Sequence, residues 1–140
     1  MRMKTYLIDD DALAIYLNEH LLRTEGFSTC ICTFQSAQGA LDTLLEKTKK
    51  VPKVVFLDLN MPMMDGWEFL DALTPHQEAL RGSCRIYILT SSLAMQDLEK
   101  SKQYDLVAGL IHKPLDAREL QELKARLVDE MVADDEPCDC

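Results

Sequence analysis

Val54, Val55, Phe56 and Leu57 run without a polar interruption into Asp58, and the chain then breaks into Asn60-Met61-Pro62 and Asp65-Gly66. So short and wholly apolar a run predicts a strand covered on both faces, as in the parallel sheet of an α/β fold. Ligands of such sheets gather at the carboxyl ends of the strands, so Asp58 is presented at an edge and not packed. The pattern recurs near the N-terminus, where Thr5-Tyr6-Leu7-Ile8 leads into Asp9-Asp10-Asp11. If the two strands are neighbours, their acids converge on one small site, and such a cluster is costly unless a cation or raised pKa values relieve it. Oxygen donors with no histidine among them point to Mg²⁺.

Periodicity predicts five strands alternating with five helices. The strands are Thr5 to Ile8, Ser28 to Phe34, Val54 to Leu57, Arg85 to Leu89 and Gly109 to His112. The first helix carries Leu13, Tyr16, Leu17, Leu21 and Leu22 and stops at Gly26, where a left-handed cap is favourable. Ser36 is the expected N-cap of a helix through Ala37, Leu41, Leu44 and Leu45, while Asp65 with Glu68 and Asp116 with Glu119 resemble capping boxes. The fourth helix, Ala94 to Tyr104, has the weakest pattern; the last repeats apolar residues at Leu120, Leu123, Leu127 and Met131. Right-handed crossovers turn this alternation into a doubly wound, five-stranded parallel sheet with helices on both faces.

The length of 140 residues and the 47% apolar content suit one domain with a single core. It is expected over residues 1–132, followed by an acidic flexible tail over 133–140 that has too little apolar surface to offset its ordering entropy. The net charge of −9 is concentrated at that end: Asp129, Glu130, Asp134, Asp135, Glu136 and Asp139 leave 18 acids against 15 bases elsewhere. No basic footprint for direct nucleic-acid binding remains. No apolar run approaches a membrane span and no secretory leader is evident, so a cytoplasmic protein with no membrane insertion is expected.

Five cysteines are an odd count for a disulfide framework. Cys30 and Cys32 share one side of a strand and read as small buried apolar residues. Cys138 and Cys140 could chelate a metal with outside ligands, yet two thiols are too few for a closed zinc site.

Two more strands deliver polar groups to the same edge, Thr90-Ser91 after Leu89 and Lys113-Pro114 after His112. Carboxylates, a hydroxyl and an ammonium are parts suited to holding a metal and a phosphoryl group, with a carboxylate as nucleophile. In this order the motifs closely resemble those of the receiver domains of two-component response regulators: Asp9-Asp10, then Asp58 with Asn60-Met61-Pro62 and Asp65-Gly66, then Thr90-Ser91, then Lys113-Pro114. The resemblance covers roughly residues 4 to 130. It implies the flavodoxin-like (βα)5 receiver fold and a phosphoacceptor signalling domain, not an enzyme, beyond self-catalysed phosphotransfer and slow autodephosphorylation. Asp58 would take the phosphoryl group from a sensor histidine kinase, a histidine phosphotransfer protein or acetyl phosphate. Asp9, Asp10, Asp58 and the Asn60 carbonyl would hold Mg²⁺; Thr90, Ser91 and Lys113 would bind the phosphoryl oxygens and couple them to a change of shape read by an unknown output protein. Lys113-Pro114 would be a cis peptide, which proline permits.

The chain departs from that pattern where many receivers carry Tyr or Phe three residues before the lysine, since Leu110 stands there. Asp11 is assigned to capping, Trp67 to a rim or partner contact, Met61, Met63 and Met64 to loop shape, and His20, His76 and His112 to no cluster. A phosphorelay intermediate is the nearest alternative. A phosphatase of the haloacid dehalogenase type wants an acid two residues after the nucleophile, where Asn60 stands. A flavodoxin-like electron carrier needs a phosphate-binding loop where this chain has acids.

Overall fold

The computed structural model describes residues 3–92, 94–127 and 138–140. Strands β1 (Thr5–Ile8), β2 (Ile31–Phe34), β3 (Val54–Asp58), β4 (Arg85–Thr90) and β5 (Val107–His112) alternate with helices α1 (Ala12–Thr24), α2 (Ala37–Leu44), α3 (Gly66–Leu73), α4 (Gln77–Leu80), α5 (Met95–Ser101) and α6 (Ala117–Leu127). All four strand pairings are parallel, in the order β2-β1-β3-β4-β5. The doubly wound α/β sheet expected from the sequence is therefore present. The chain order reverses between β1 and β3, and the crevice for ligands in such sheets opens there.

Alternation along the strands builds two cores. Tyr6, Ile8, Val55, Leu57, Ile86 and Ile88 face α2 and α3, whereas Leu7, Phe56, Tyr87 and Leu89 face Leu22 of α1 and Leu120, Leu123 and Leu127 of α6. Each of the large side chains is almost fully buried, which contributes about 1.5–3 kcal/mol apiece before chain entropy is subtracted.

The caps follow the sequence. Asp11 accepts from Leu13 N, Ser36 from Gly39 N, Asp65 and Glu68 form a reciprocal capping box, and Asp116 accepts from Glu119 N at 2.8 Å. Gly26 takes a φ of 66° just beyond α1.

Several boundaries differ. β2 begins at Ile31 because residues 28–30 are tied by Ser28, whose hydroxyl donates to Met3 O while Cys30 N donates back to it. β5 begins earlier than expected, at Val107, and the short helix α4, after a 3-10 turn containing Pro75, was not signalled by periodicity.

The expected apolar face of α1 is only half used. Ile15 and Leu22 are buried, while Leu13, Tyr16 and Leu17 are 63%, 66% and 55% exposed.

The expected domain boundary at 132, Met131 of the last helix and most of the acidic tail lie outside the described residues. Residues 138–140 are described, and they correct the reading of the cysteines. Cys30 and Cys32 are buried as expected, but they are bonded to Cys138 and Cys140 respectively. The odd count misled because one cysteine, Cys84, is a buried free thiol outside the pairing. The last three residues are accordingly not a free tail.

Candidate functional site

The acid-bearing ends of β1 and β3 lie side by side, since Ile8 pairs with Leu57 and the following residues are Asp9 and Asp58. Oxygens of Asp9, Asp10 and Asp58 all fall within 4.8 Å of one another. Asp58 is the last residue of β3 and is 3% exposed; Asp9 is 4% exposed, and Asp10 is open to solvent. β5 supplies the cation: Lys113 Nζ donates to Asp58 Oδ1 at 2.6 Å and lies 3.9 Å from Asp9 Oδ2. Lys113 is itself anchored through its backbone N–H to Thr90 O at 2.8 Å, and the peptide to Pro114 is cis, as the resemblance implied.

Asp9 carries the electrostatic cost of this convergence. Burial pushes its carboxyl up to about 6; the Asp11 backbone N–H and Lys113 oppose the shift, and Asp58 and Asp10 add to it. Asp9 Oδ1 accepts from Asp11 N at 3.0 Å, but Oδ2 is buried with no hydrogen-bond partner. An unpartnered buried carboxylate oxygen beside two further carboxylates is a donor set suited to a hard divalent cation such as Mg²⁺. Asp9, Asp10 and Asp58 would supply the side-chain oxygens, with the Asn60 carbonyl the adjoining backbone candidate.

The remaining predicted residues stand at the rim. Asn60 and Ser91 are exposed in the loops after β3 and β4. Thr90, 5% exposed, donates its hydroxyl to Ser92 O at 2.9 Å and accepts from Ser92 N, so it closes its own loop in this conformation. Asp11 caps α1 as expected, and His20, His76 and His112 are separately exposed.

Gly66 fixes the β3–α3 connection. Its N–H donates to Leu59 O at 3.0 Å, and a Cβ there would lie 2.9 Å from both Asp58 O and Leu59 Cα. No side chain fits without moving the backbone that carries Asp58.

Periodicity did not reveal two features near this edge. The exposed Leu13, Tyr16 and Leu17 crown α1, and Leu17 lines a groove shared with Asp9, Lys113 and Pro114. Apolar periodicity places all three on one helix, and only an excess over what one face can bury could signal that they stay open. Across the sheet, Trp67 stacks on Tyr104 at 5.9 Å, Lys100 lies 4.6 Å over the indole, and Tyr104 OH donates to Asp71 at 2.6 Å. Trp67 is thus a contact between α3 and the α5–β5 segment.

Comparison with known proteins agrees with this geometry. The family model for the response regulator receiver domain matches residues 6–124. Sporulation initiation phosphotransferase F of Bacillus subtilis (strain 168) is 33% identical over 127 residues, covering 87% of this chain and 90% of that protein. Among solved structures, a two component response regulator from Cytophaga hutchinsonii superposes with a TM-score of 0.80 at 28% identity, covering 92% of this chain and 99% of its own. A response regulator receiver protein from Dyadobacter fermentans gives 0.78 at 31% identity, covering 90% and 98%. With the acid cluster, the lysine and the sheet order all in place, the chain belongs to the family of response regulator receiver domains.

Proposed function

We infer that Asp58 is the phosphoacceptor of this receiver, and that the ion pair between its carboxylate and Lys113 is the observation that carries the assignment. One Asp58 oxygen attacks the phosphorus of a phosphohistidine on a sensor kinase or phosphotransfer protein, or of a small acyl phosphate. The N–P or O–P bond breaks, and the donor leaves with its electron pair. Asp58 exchanges one negative charge for about two, with three new acceptor oxygens. Lys113, 33% exposed and already in the site, stays beside the added charge. Mg²⁺ held by Asp9, Asp10 and Asp58 would neutralise charge on the phosphoryl oxygens. Thr90 must give up its bond to Ser92 O to donate to the new group, and the loop it now closes is free to move with it.

The direct test is intact-mass analysis after incubation with acetyl phosphate and Mg²⁺. One phosphoryl mass should appear on the wild type and none on Asp58→Asn. A variant phosphorylated to the wild-type extent would overturn the assignment.

A second reading, service as a relay intermediate in the cytoplasm, is favoured by the open apolar face of α1. Leu13, Tyr16 and Leu17 are exposed on the helix that follows Asp9-Asp10-Asp11, and Leu17 lines the groove with Asp9 and Lys113, so a helix of a histidine phosphotransfer protein could lay its own apolar stripe there. The similarity to sporulation initiation phosphotransferase F points the same way. Replacing Tyr16 and Leu17 by Ser should then slow transfer from a protein phosphohistidine at least tenfold while leaving acetyl phosphate as good a donor as before. An equal effect on both donors would speak against protein docking there.

A further inference from the structure

Two pairs of cysteines in this chain share one spacing. Cys30 and Cys32 flank Ile31 at the start of the edge strand β2, and Cys138 and Cys140 flank Asp139 at the C-terminus. The structure joins them in register, with Cα separations of 5.3 Å for Cys30–Cys138 and 5.2 Å for Cys32–Cys140. The two bonds also adjoin each other. Cys138 Sγ is 3.5 Å from Cys140 Sγ, and the sulfurs of Cys30, Cys138 and Cys140 lie within 4.8 Å of one another.

Sulfur is not the only contact. Asp139, between the two terminal cysteines, accepts from Lys4 Nζ at 2.5 Å and from Lys50 N at 2.9 Å. Lys4 is only 8% exposed, and its ammonium also donates to Lys50 O at 2.7 Å. A buried ammonium is stable only when paired, so Lys4 forms a receptor for the Asp139 carboxylate that needs no disulfide to exist. Seating Asp139 there brings each terminal cysteine to its partner on β2.

The two sulfurs of each bond are unequal in access. Cys30 and Cys32 are each 4% exposed, whereas Cys138 and Cys140 are open to solvent. Exchange proceeds by attack of a thiolate on an accessible disulfide sulfur, so an external thiol reaches the terminal cysteines, and the buried strand cysteines depart.

We propose that Cys30, Cys32, Cys138 and Cys140 form a reversible thiol–disulfide exchange site, served by a dithiol reductant and a disulfide oxidant, that locks the C-terminus to β2 when oxidised. In opening, a thiolate of the reductant attacks Cys138 or Cys140 Sγ. Cys30 or Cys32 leaves as a thiolate and takes up a proton. The second thiol of the reductant then displaces the terminal cysteine, ending as an intramolecular disulfide. In closing, Cys30 with Cys138, and Cys32 with Cys140, each give two electrons and two protons to an oxidant such as glutathione disulfide, which becomes two thiols. Bonds of this kind are reversible rather than permanent in a reducing compartment. The site is remote from Asp58 chemistry and does not depend on it.

The full chain, reduced with dithiothreitol and then equilibrated with glutathione buffers, would be quenched in acid, alkylated with iodoacetamide under denaturing conditions and weighed. All five cysteines should be modified after reduction and only Cys84 after oxidation, with a reversible transition between. Digestion of the oxidised protein should yield the peptide containing Cys30 and Cys32 linked to the C-terminal peptide. Asp139→Asn should close at least threefold more slowly. Five modified thiols in every glutathione buffer, bonds confined within each pair, or closure of Asp139→Asn at the wild-type rate would each overturn the proposal. So would one equivalent of zinc bound by the reduced protein that blocks oxidation, since the four sulfurs would then be a metal site.

Discussion

Asp9 is the residue at which the needs of the site and of the fold conflict. Its folded carboxyl, pushed up to about 6 by burial first and by its acidic neighbours after that, holds its proton more tightly than the unfolded chain does near pH 4. Ionised Asp9 therefore opposes folding: the penalty is absent below about pH 4, grows as pH rises toward the folded value and is constant above it. Without divalent cation, wild type should be more stable at pH 5 than at pH 7 relative to Asp9→Asn. The variant should gain of the order of 2 kcal/mol at pH 7. Urea denaturation in EDTA at the two pH values measures this, and parallel pH profiles for the two proteins would refute it. Asp9→Asn should also bind Mg²⁺ more weakly, because the oxygen that destabilises the metal-free protein is the one without a partner. Lys113 is the complementary case. Its alanine variant should still fold, since no core side chain is removed, but its amide spectrum should respond less than wild type to beryllofluoride, a phosphoryl mimic. A wild-type response would show that the ammonium does not couple the site to the loops.

Elements place these residues through contacts that vary in how visible they are to a reader of the sequence. The buried strands were plain because Val54–Leu57 is wholly apolar and Thr5–Ile8 carries its one aliphatic hydroxyl at its start, and their acids sat where a parallel sheet must present them. The caps at Asp11, Ser36 and Asp65 were equally legible, since each depends on residues a few positions apart. Helix α4 was not, because four residues are too short for a period, and Leu80 alone is buried from it. The open face of α1 is hidden for a different reason: periodicity finds apolar residues but does not count how many the sheet can cover. Gly66 links the legible to the hidden, being visible as a turn residue while its reason lies in a non-local contact. Gly66→Ala would place a methyl against the Asp58 carbonyl and the Leu59 backbone, neither of which can rotate away. Overpacking of this kind costs about 1–3 kcal/mol. The variant should lose that much stability and accept phosphate from acetyl phosphate more slowly than wild type. Wild-type kinetics together with wild-type stability would show that the loop yields freely.

At the scale of the whole molecule, the two disulfides close the chain from β2 onward into one loop and leave β1 and α1 outside it. Each joins residues 108 positions apart, and the second bond lies only two residues from the first at either end. Such closure stabilises chiefly by restricting the unfolded chain, by about 4–5 kcal/mol for a loop of this length on the chain-entropy view. That gain belongs to closing the loop once, because the second bond then restricts only a few residues already held close. The two bonds should therefore be strongly non-additive. Under oxidising conditions Cys138→Ser alone should cost little, since Cys32–Cys140 still closes the loop, and Cys140→Ser alone should likewise be mild with Cys30–Cys138 intact. Removing both should cost several kcal/mol, far more than the sum of the single variants. Truncation after Val132 should cost more than the double variant, because it also forfeits the Lys4–Asp139 pair and leaves a buried ammonium without its carboxylate. The acidic end is thus expected to matter for stability despite its composition, while acetyl phosphate still reaches Asp58 at the opposite end of the strands. Urea denaturation of the oxidised wild type, the two single variants, the double variant and the truncation tests the ordering. Single variants that each lose half of the double variant's deficit would show that the bonds act independently, and that loop closure is not what they contribute.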